Sequence, residues 1–100
     1  MVLYNVTLII EDSAADEWLQ WMREIHIPEV MLTEKFVSNR LLKVLDSPNE
    51  GVTYCVQYIA ENEADYQAYQ RDFAPALQAQ LQSKFENRLV AFRTLMEFVD

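Results

Sequence analysis

The order of two hydrophobic periodicities along the chain restricts its fold more than any other feature of the sequence. Residues 2–10 alternate between the two sides of a strand, and one side is fully apolar. The spacing then changes to three and four residues, which predicts a helix with an apolar stripe. The strand side consists of Tyr4, Val6, Leu8 and Ile10, and the helix stripe of Ala15, Trp18, Trp21, Met22 and Ile25.

Local signals predict the ends of this first helix. Ser13 and Asp16 have the spacing of a capping box, so the helix is expected to begin near Ser13. Pro28 lacks a backbone donor and disfavours helical geometry at Ile27. We therefore expect the helix to end near His26, with a short second turn starting at Pro28.

The middle of the chain predicts a β-hairpin. Residues 36–45 are read as an edge strand, although Arg40 and Lys43 blur the alternation. Residues 47–51 carry turn-forming residues, including the only glycine. A strictly alternating, central strand follows, whose apolar side consists of Val52, Tyr54, Val56 and Tyr58.

The last third of the chain predicts an interrupted helix and a fourth strand. Asn62 suits a helix N-cap, and Pro75 predicts a kink or a restart within the helix. Asn87 tolerates left-handed geometry and is expected in a tight turn. The final strand is expected to turn its most apolar side towards the helices, namely Val90, Phe92, Met96 and Phe98.

The resulting order is strand, helix, two strands, helix and strand. Its simplest packing is a four-stranded antiparallel sheet with the helices on one face, which is the ferredoxin-like α+β arrangement. With 100 residues, a single glycine and 51% hydrophobic side chains, the sequence predicts one compact domain over residues 1–100.

The opposite face of the predicted sheet is mixed rather than polar. It is expected to carry Leu3, Ile9, Ile59, Leu89, Leu95 and Val99 among others. So many aliphatic positions indicate a second layer, and a homodimer formed through this face supplies one. A monomer with an apolar exposed sheet is the alternative.

Two such faces would enclose a cavity between the paired sheets, lined by the polar residues among the apolar ones. The candidate ligand-binding residues are Asn5, Thr7, Gln57, Arg93 and Glu97. The structural alternative makes them cross-strand partners or dimer contacts, with Arg93 and Glu97 paired by charge.

The element order and the apolar far face resemble the dimeric α+β-barrel superfamily. This superfamily includes EthD-like proteins, antibiotic-biosynthesis-type monooxygenases, and polyketide cyclases and lactone isomerases of the same build. Residues 3–7, 18–22, 26–31 and 92–94 look like a family of short bacterial proteins known only as a domain of unknown function. The resemblance implies a dimeric barrel, and the family itself brings no activity.

Residues 21–28 are also similar to the aromatic, histidine and proline run that follows the first helix in EthD-like proteins and related cyclases. This resemblance suggests His26 as a catalytic general base, because a histidine at the barrel mouth removes a proton from an acidic C–H or phenol in some of these enzymes. An imidazole also titrates near neutral pH, which suits proton abstraction. The structural alternative is a histidine that stabilises a helix C-terminus.

Charge and the shortage of reactive groups exclude several function classes. A formal charge of −8 opposes binding to nucleic acid or to an anionic membrane, and residues 2–10 are too short to span a bilayer. The single Cys55 cannot form an internal disulfide, which fits a reducing cytoplasm, and it is read as a buried hydrophobe. We expect neither a metal nor a cofactor, because one histidine and one glycine build no known metal or phosphate motif.

The sequence as a whole therefore predicts a small cytoplasmic homodimer that binds a small apolar ligand between paired sheets. Cofactor-free acid/base or monooxygenase-type chemistry at His26 is the associated hypothesis. The alternative is a noncatalytic ligand-binding or protein-interaction module, which the shortage of reactive groups favours.

Overall fold

Four strands and two helical segments follow one another in the predicted order. The computed structural model describes all 100 residues. Its elements are β1 (Val2–Ile10), α1 (Asp12–Trp21), a π-helical turn (Met22–His26), α2 (Ile27–Met31), β2 (Ser38–Lys43), β3 (Val52–Ala60), α3 (Glu63–Asp72), α4 (Ala74–Lys84) and β4 (Leu89–Glu97). The sheet is antiparallel in the order β2-β3-β1-β4, so the predicted ferredoxin-like α+β fold is confirmed.

The core lies between the helices and one side of the two central strands. On β1 this side is the predicted apolar one, and its residues are all buried. The Trp18 ring of α1 stacks on Tyr54 of β3 with 4.8 Å between centroids, which places α1 directly over the sheet. Trp18, Leu8, Ile10, Val30, Val56 and Phe85 are the largest fully buried side chains. The strict alternation of β1 and β3 in the sequence therefore predicted correctly which side of each strand faces the helices.

The first helix does not end near His26, as predicted, but continues to Met31. A π-helical turn explains the difference, since the Ile27 N–H bonds to the Met22 carbonyl five residues earlier. The wider turn leaves room for the ring of Pro28, which in a regular α-helix clashes with the carbonyl four residues before it. The proline is accommodated within the helix instead of ending it.

The start of α1 also differs from the prediction. Glu11 occupies the N-cap position and no side chain caps the helix. The Ser13 hydroxyl donates a hydrogen bond to the Glu11 carboxylate at 3.4 Å, so it is not available for a backbone N–H. The capping-box prediction was therefore wrong.

Local signals in the second half of the chain are confirmed. The Asn62 side chain accepts a hydrogen bond from the Asp65 N–H at 2.8 Å and so caps α3. The interruption predicted by Pro75 occurs at Phe73, between α3 and α4. Asn87 has a φ of 63° in the turn before β4. Each of these features depends on a few adjacent residues.

The orientation of β4 is the reverse of the prediction. Leu89, Ala91 and Arg93 lie opposite Ile10, Leu8 and Val6 of β1, and opposed residues share a side of the sheet. Half-buried Leu89 and Ala91 therefore pack on the helix side, whereas Val90 and Phe92 lie on the far face. The more apolar side of this edge strand points away from the core.

Candidate functional site

His26 is the only histidine of the chain, and it is buried beneath the first helical segment. It closes the π-helical turn, and only 7% of its surface is exposed. The imidazole stacks on the Trp21 indole with 5.1 Å between centroids. Its Nδ1 atom is buried and has no hydrogen-bond partner. The helix-capping interpretation is wrong, because the helix continues past His26 to Met31.

A cavity of about 20 Å³ lies between the sheet and the helices, beside His26. We call it the helix-side cavity. Its lining comes from β1, the π-helical turn, β3, α3, α4 and β4, and consists of Tyr4, Val6, Leu8, Met22, His26, Tyr58, Tyr69, Gln78, Leu81 and Arg93. No aspartate or glutamate is among these residues. His26, Arg93 and Gln78 supply its nitrogen-bearing polar groups.

The surroundings of His26 favour the neutral imidazole. Burial, and secondarily the nearby positive charge of Arg93, lower its pKa from 6.5 to about 4. A neutral imidazole carries one acceptor nitrogen and one donor nitrogen. At neutral pH the cavity therefore presents an uncharged proton acceptor close to a cation.

An aromatic cluster forms the other side of the cavity. The Tyr4 ring lies 6.1 Å from the Tyr58 ring and 6.2 Å from the Tyr69 ring, between centroids. Phe36 contacts the same group, with 4.8 Å between its centroid and that of Tyr69. Burial raises the pKa of the Tyr58 and Tyr69 hydroxyls, so both stay protonated at neutral pH. The cluster is mainly core, and Tyr4, Tyr58 and Tyr69 also line the cavity.

Arg93 and Glu97 do not join the other candidate residues on the far face. The register of β4 places both on the helix side of the sheet, Arg93 opposite Val6 and Glu97 opposite Val2. Arg93 reaches the helix-side cavity, whereas exposed Glu97 is not part of its lining. The two form no ion pair with each other. The predicted grouping of five residues was wrong because it assumed the opposite side of β4.

Asn5, Thr7 and Gln57 do lie together on the far face. The Gln57 amide donates to the Asn5 carbonyl oxygen at 3.2 Å, and the Asn5 amide donates to the Thr7 hydroxyl at 2.9 Å. The Thr7 hydroxyl lies 3.6 Å from the Cys55 sulfur. These side chains satisfy one another across β1 and β3, so they form a polar strip along the middle of the sheet.

Gln78 is a cavity residue that sequence reasoning missed. It is half-buried on α4 and lies one helical turn before Leu81, which lines the same cavity. In the sequence Leu77 and Leu81 have the four-residue spacing of an apolar helix stripe, and the polar residue beside Leu77 gives no signal of its own. Only the packing of α4 on the sheet brings Gln78 to the cavity.

Two further observations describe the molecule outside this cavity. No group of three or more histidine, cysteine, aspartate or glutamate side chains is arranged to hold a metal ion. None of the helices combines the length and the apolar character needed to cross a membrane.

Known structures share the fold. An EthD family protein from Bacillus halodurans is 15% identical, with a TM-score of 0.68 over 99% of this chain and 100% of that one. SnoaB, a cofactor-independent oxygenase from Streptomyces nogalater, is 12% identical, with a TM-score of 0.71 over 99% and 93%. A dimeric ferredoxin-like protein from an uncultured marine organism is 10% identical, with a TM-score of 0.72 over 99% and 94%. At such identities the likeness shows the fold.

Sequence comparison identifies the family. No curated protein sequence is significantly similar to this chain. The family described as "Domain of unknown function (DUF4286)" matches residues 1–99, nearly the whole length. The sequence resemblance to a domain of unknown function and to EthD-like and monooxygenase-type proteins is therefore confirmed. The chain belongs to the DUF4286 family.

Proposed function

We propose that this protein is a cytoplasmic homodimer in which each subunit binds a small, largely apolar ligand in the helix-side cavity. His26 is the proposed acceptor of a proton or hydrogen bond from the ligand. One observation carries this proposal, namely that the buried His26 lines the cavity while its Nδ1 atom lacks a partner. Buried polar atoms are almost always hydrogen-bonded, so an unpartnered one favours a ligand contact.

The electrostatics specify what His26 does with a ligand. With a pKa of about 4, the free imidazole is neutral at pH 7 and is a hydrogen-bond acceptor rather than a strong base. A ligand that loses a proton places a negative charge beside it. That charge favours the imidazolium form and raises the pKa of His26. Proton transfer is therefore coupled to binding of an acidic O–H or C–H group.

The cavity as it stands has room for about one water molecule. A larger ligand requires side chains at its edge to move. Arg93 is exposed and Gln78 is half-buried, so both are free to change rotamer, in contrast to buried Tyr4 and Tyr58. We propose that the ligand enters between Arg93 on β4 and Gln78 on α4.

The far face supports the homodimer. Val90 and Phe92 are 54% and 55% exposed, and Leu42 and Met96 add to the same apolar surface. Arg40 is its only charged residue, although the chain carries 16 acidic side chains. A face without carboxylates allows two copies of an acidic protein to pack without like-charge repulsion. The dimeric ferredoxin-like neighbour supports a dimer.

The paired sheets are a less suitable place for the ligand than the sequence suggested. Asn5, Thr7 and Gln57 satisfy their hydrogen bonds among themselves. In the proposed dimer they serve as interface residues at the centre of an apolar surface, where polar pairs fix the register of the two sheets. The two buried side-chain polar atoms without a partner, His26 Nδ1 and Trp18 Nε1, both lie on the helix side of the sheet, and only His26 lines the cavity.

A noncatalytic binding module is the second candidate function. The observation in its favour is the low pKa of His26 together with the absence of a carboxylate from the cavity, since a base normally acts with such a partner. SnoaB, a cofactor-independent oxygenase of similar fold, supports the catalytic candidate instead. Both candidates require a ligand in the helix-side cavity and differ in whether it is converted.

The test uses the single histidine as a probe. Because the chain has one histidine, its imidazole NMR signals are unambiguous. In anisole a methyl group replaces the O–H hydrogen of phenol, so only phenol can donate a hydrogen bond, and each is titrated into the full-length protein at neutral pH. We expect phenol to shift the imidazole nitrogen signals, and anisole to shift the signals of cavity residues without the imidazole response.

The variant His26→Gln serves as the control, because an amide retains an acceptor and has nearly the same size. We expect it to bind phenol, whereas His26→Phe is expected to bind phenol no better than anisole. If neither probe shifts a cavity signal at millimolar concentration, ligand binding in this cavity is contradicted. Mass spectrometry then shows whether a bound phenol is converted. Conversion supports the enzyme, and an unchanged phenol supports the noncatalytic module.

A further inference from the structure

Arg93 is the one cationic side chain at the helix-side cavity, and it has no ionic partner. The ion pairs of the chain join Arg71 to Asp72 and Arg88 to Glu11. Acidic residues outnumber basic ones by 16 to 8, yet Arg93 forms no ion pair with any of them. Its guanidinium lies at the exposed edge of a cavity that contains no carboxylate.

The positive charge of Arg93 acts on several elements around the cavity. It lowers the pKa of His26 on the π-helical turn, and also opposes the rise in the pKa of the Tyr66 and Tyr69 hydroxyls on α3. Arg93 is therefore close enough to affect groups on both sides of the cavity. A guanidinium at the edge of the cavity favours a negatively charged ligand group beside it. Its planar pair of N–H donors matches the two oxygens of a carboxylate.

The unpartnered Nδ1 atom of His26 is an independent observation of the same site. His26 is more than nine-tenths buried and lines the cavity from the π-helical turn. The remaining lining is mostly apolar or aromatic, with Val6, Leu8 and Leu81 among the residues. The cavity thus combines an exposed cation, a mostly apolar lining and a neutral imidazole.

We propose that the ligand is an organic acid with an apolar body, whose ionised carboxylate pairs with Arg93 while an O–H group donates to His26. This inference rests on the proposed function, because it names the class of ligand for the same cavity. An apolar molecule without a charge would leave Arg93 without a partner. A dianion is less suitable, since the protein has a net charge of −8 and offers a single guanidinium here.

Three related probes test the carboxylate and the hydroxyl separately. 4-Hydroxybenzoate carries both groups, methyl 4-hydroxybenzoate lacks the charge, and 4-methoxybenzoate lacks the O–H donor. Dissociation constants are measured by NMR titration of the full-length protein at neutral pH and constant ionic strength. We expect 4-hydroxybenzoate to bind about tenfold more tightly than its ester, since a charge-assisted hydrogen bond is replaced by a weaker one. 4-Methoxybenzoate keeps the carboxylate. We expect it to bind through this group without shifting the imidazole signals.

Variants identify the group that binds the charge. Arg93→Gln is expected to abolish the preference for 4-hydroxybenzoate over its ester. The matched control is Arg23→Gln, because Arg23 is exposed, forms no ion pair and is not part of the cavity lining. Arg23→Gln removes the same net charge, and we expect this variant to keep the preference for 4-hydroxybenzoate over its ester.

The outcomes separate the two proposals. If ester and acid bind equally and shift the cavity signals, the organic-acid inference is overturned and the proposed cavity function stands. A preference that survives in Arg93→Gln also overturns the inference. If none of the probes shifts a cavity signal, the inference fails together with the proposed function.

Discussion

At the residue scale, His26 shows how far a single side chain can be understood from sequence. Its chemistry and its place after an aromatic helix singled it out as the candidate base. Its burial and the absence of a partner for Nδ1 depend on the packing of β1, α4 and β4 around it. Solvent access and neighbouring charge belong to the folded chain, so the pKa of His26 was not predictable.

The low pKa of His26 makes stability depend on pH. The unfolded chain takes up a proton on this imidazole near pH 6.5, whereas the folded chain does so at about pH 4. The unfolded state therefore binds more protons in this interval, and the protein loses stability as the pH falls through it. The loss is complete below the folded pKa and amounts to about 3 kcal/mol.

Two measurements check this prediction. An NMR titration of the imidazole gives the pKa directly, and urea unfolding at several pH values gives the free energy of unfolding. The carboxylates titrate in part of the same range, so the comparison is with His26→Gln, which we expect to lack this component. A folded-state pKa at or above 6.5 would show that the imidazole is not desolvated as the structure indicates.

The capping residue Asn62 is a local feature whose contribution was readable from the sequence. Its side chain accepts the Asp65 N–H at 2.8 Å, which satisfies one free donor at the start of α3. We expect Asn62→Ala to lower the free energy of unfolding by about 1 kcal/mol. Asn62→Asp keeps the acceptor and should retain most of the stability. Equal losses in the two variants, measured by urea unfolding, would contradict a capping role.

At the element scale, the π-helical turn explains why the predicted end of the first helix was wrong. Pro28 correctly signalled a disturbance of the helix, but the chain absorbs it by one wider turn. The bond from the Ile27 N–H to the Met22 carbonyl keeps the helix continuous while His26 packs under it. Whether a proline ends a helix or widens it depends on the core contacts of the segments on both sides, here Trp18 and Val30.

The turn between β2 and β3 depends on its glycine. Gly51 has a φ of 88°, and an added Cβ would lie 2.5 Å from the Ile10 carbonyl oxygen. Both the conformation and the backbone contact oppose a side chain. We expect Gly51→Ala to lower the free energy of unfolding by about 2 kcal/mol or more.

Urea unfolding of this variant is compared with that of Glu50→Ala, whose exposed side chain lies in the same turn. We expect Glu50→Ala to change stability by less than about 0.5 kcal/mol. A Gly51→Ala variant as stable as the parent would mean that the turn can adopt another conformation.

At the scale of the whole molecule, the proposed dimer predicts the behaviour of the far face. Phe92 is 55% exposed, so Phe92→Lys should hardly affect the stability of an isolated subunit. In a dimer joined through this face, the same change buries a charge and opposes association. We expect the solution mass, measured by light scattering, to fall from twice 11.8 kDa towards 11.8 kDa.

The matched control is Leu32→Lys, at a residue that is 79% exposed and follows α2 on the helical side. We expect it to leave the dimer intact. A parent protein that has the mass of one chain at micromolar concentration would contradict the dimer, and the far face would then be available to another protein.

The orientation of β4 is the part of the fold that the sequence misrepresented. Hydrophobicity alone favours Val90, Phe92 and Met96 as core residues, and the structure places all three on the far face. A monomeric protein is stabilised when the most apolar side of a strand packs on the core. In a protein that associates, that side can face outwards and be buried in the interface instead. The pattern of β4 is therefore ambiguous until its pairing with β1 is known.

The sequence by itself determined the element order, the antiparallel ferredoxin-like fold and the helix-facing sides of β1 and β3, because strict periodicity and local turn chemistry depend on neighbouring residues alone. Only the tertiary structure decided the side of β4 that carries Arg93, the continuity of the helix past Pro28, and the meeting of His26, Gln78 and Arg93 at one cavity. These depend on contacts between residues far apart in the chain. Strand register and helix packing set such contacts, and local periodicity does not specify them.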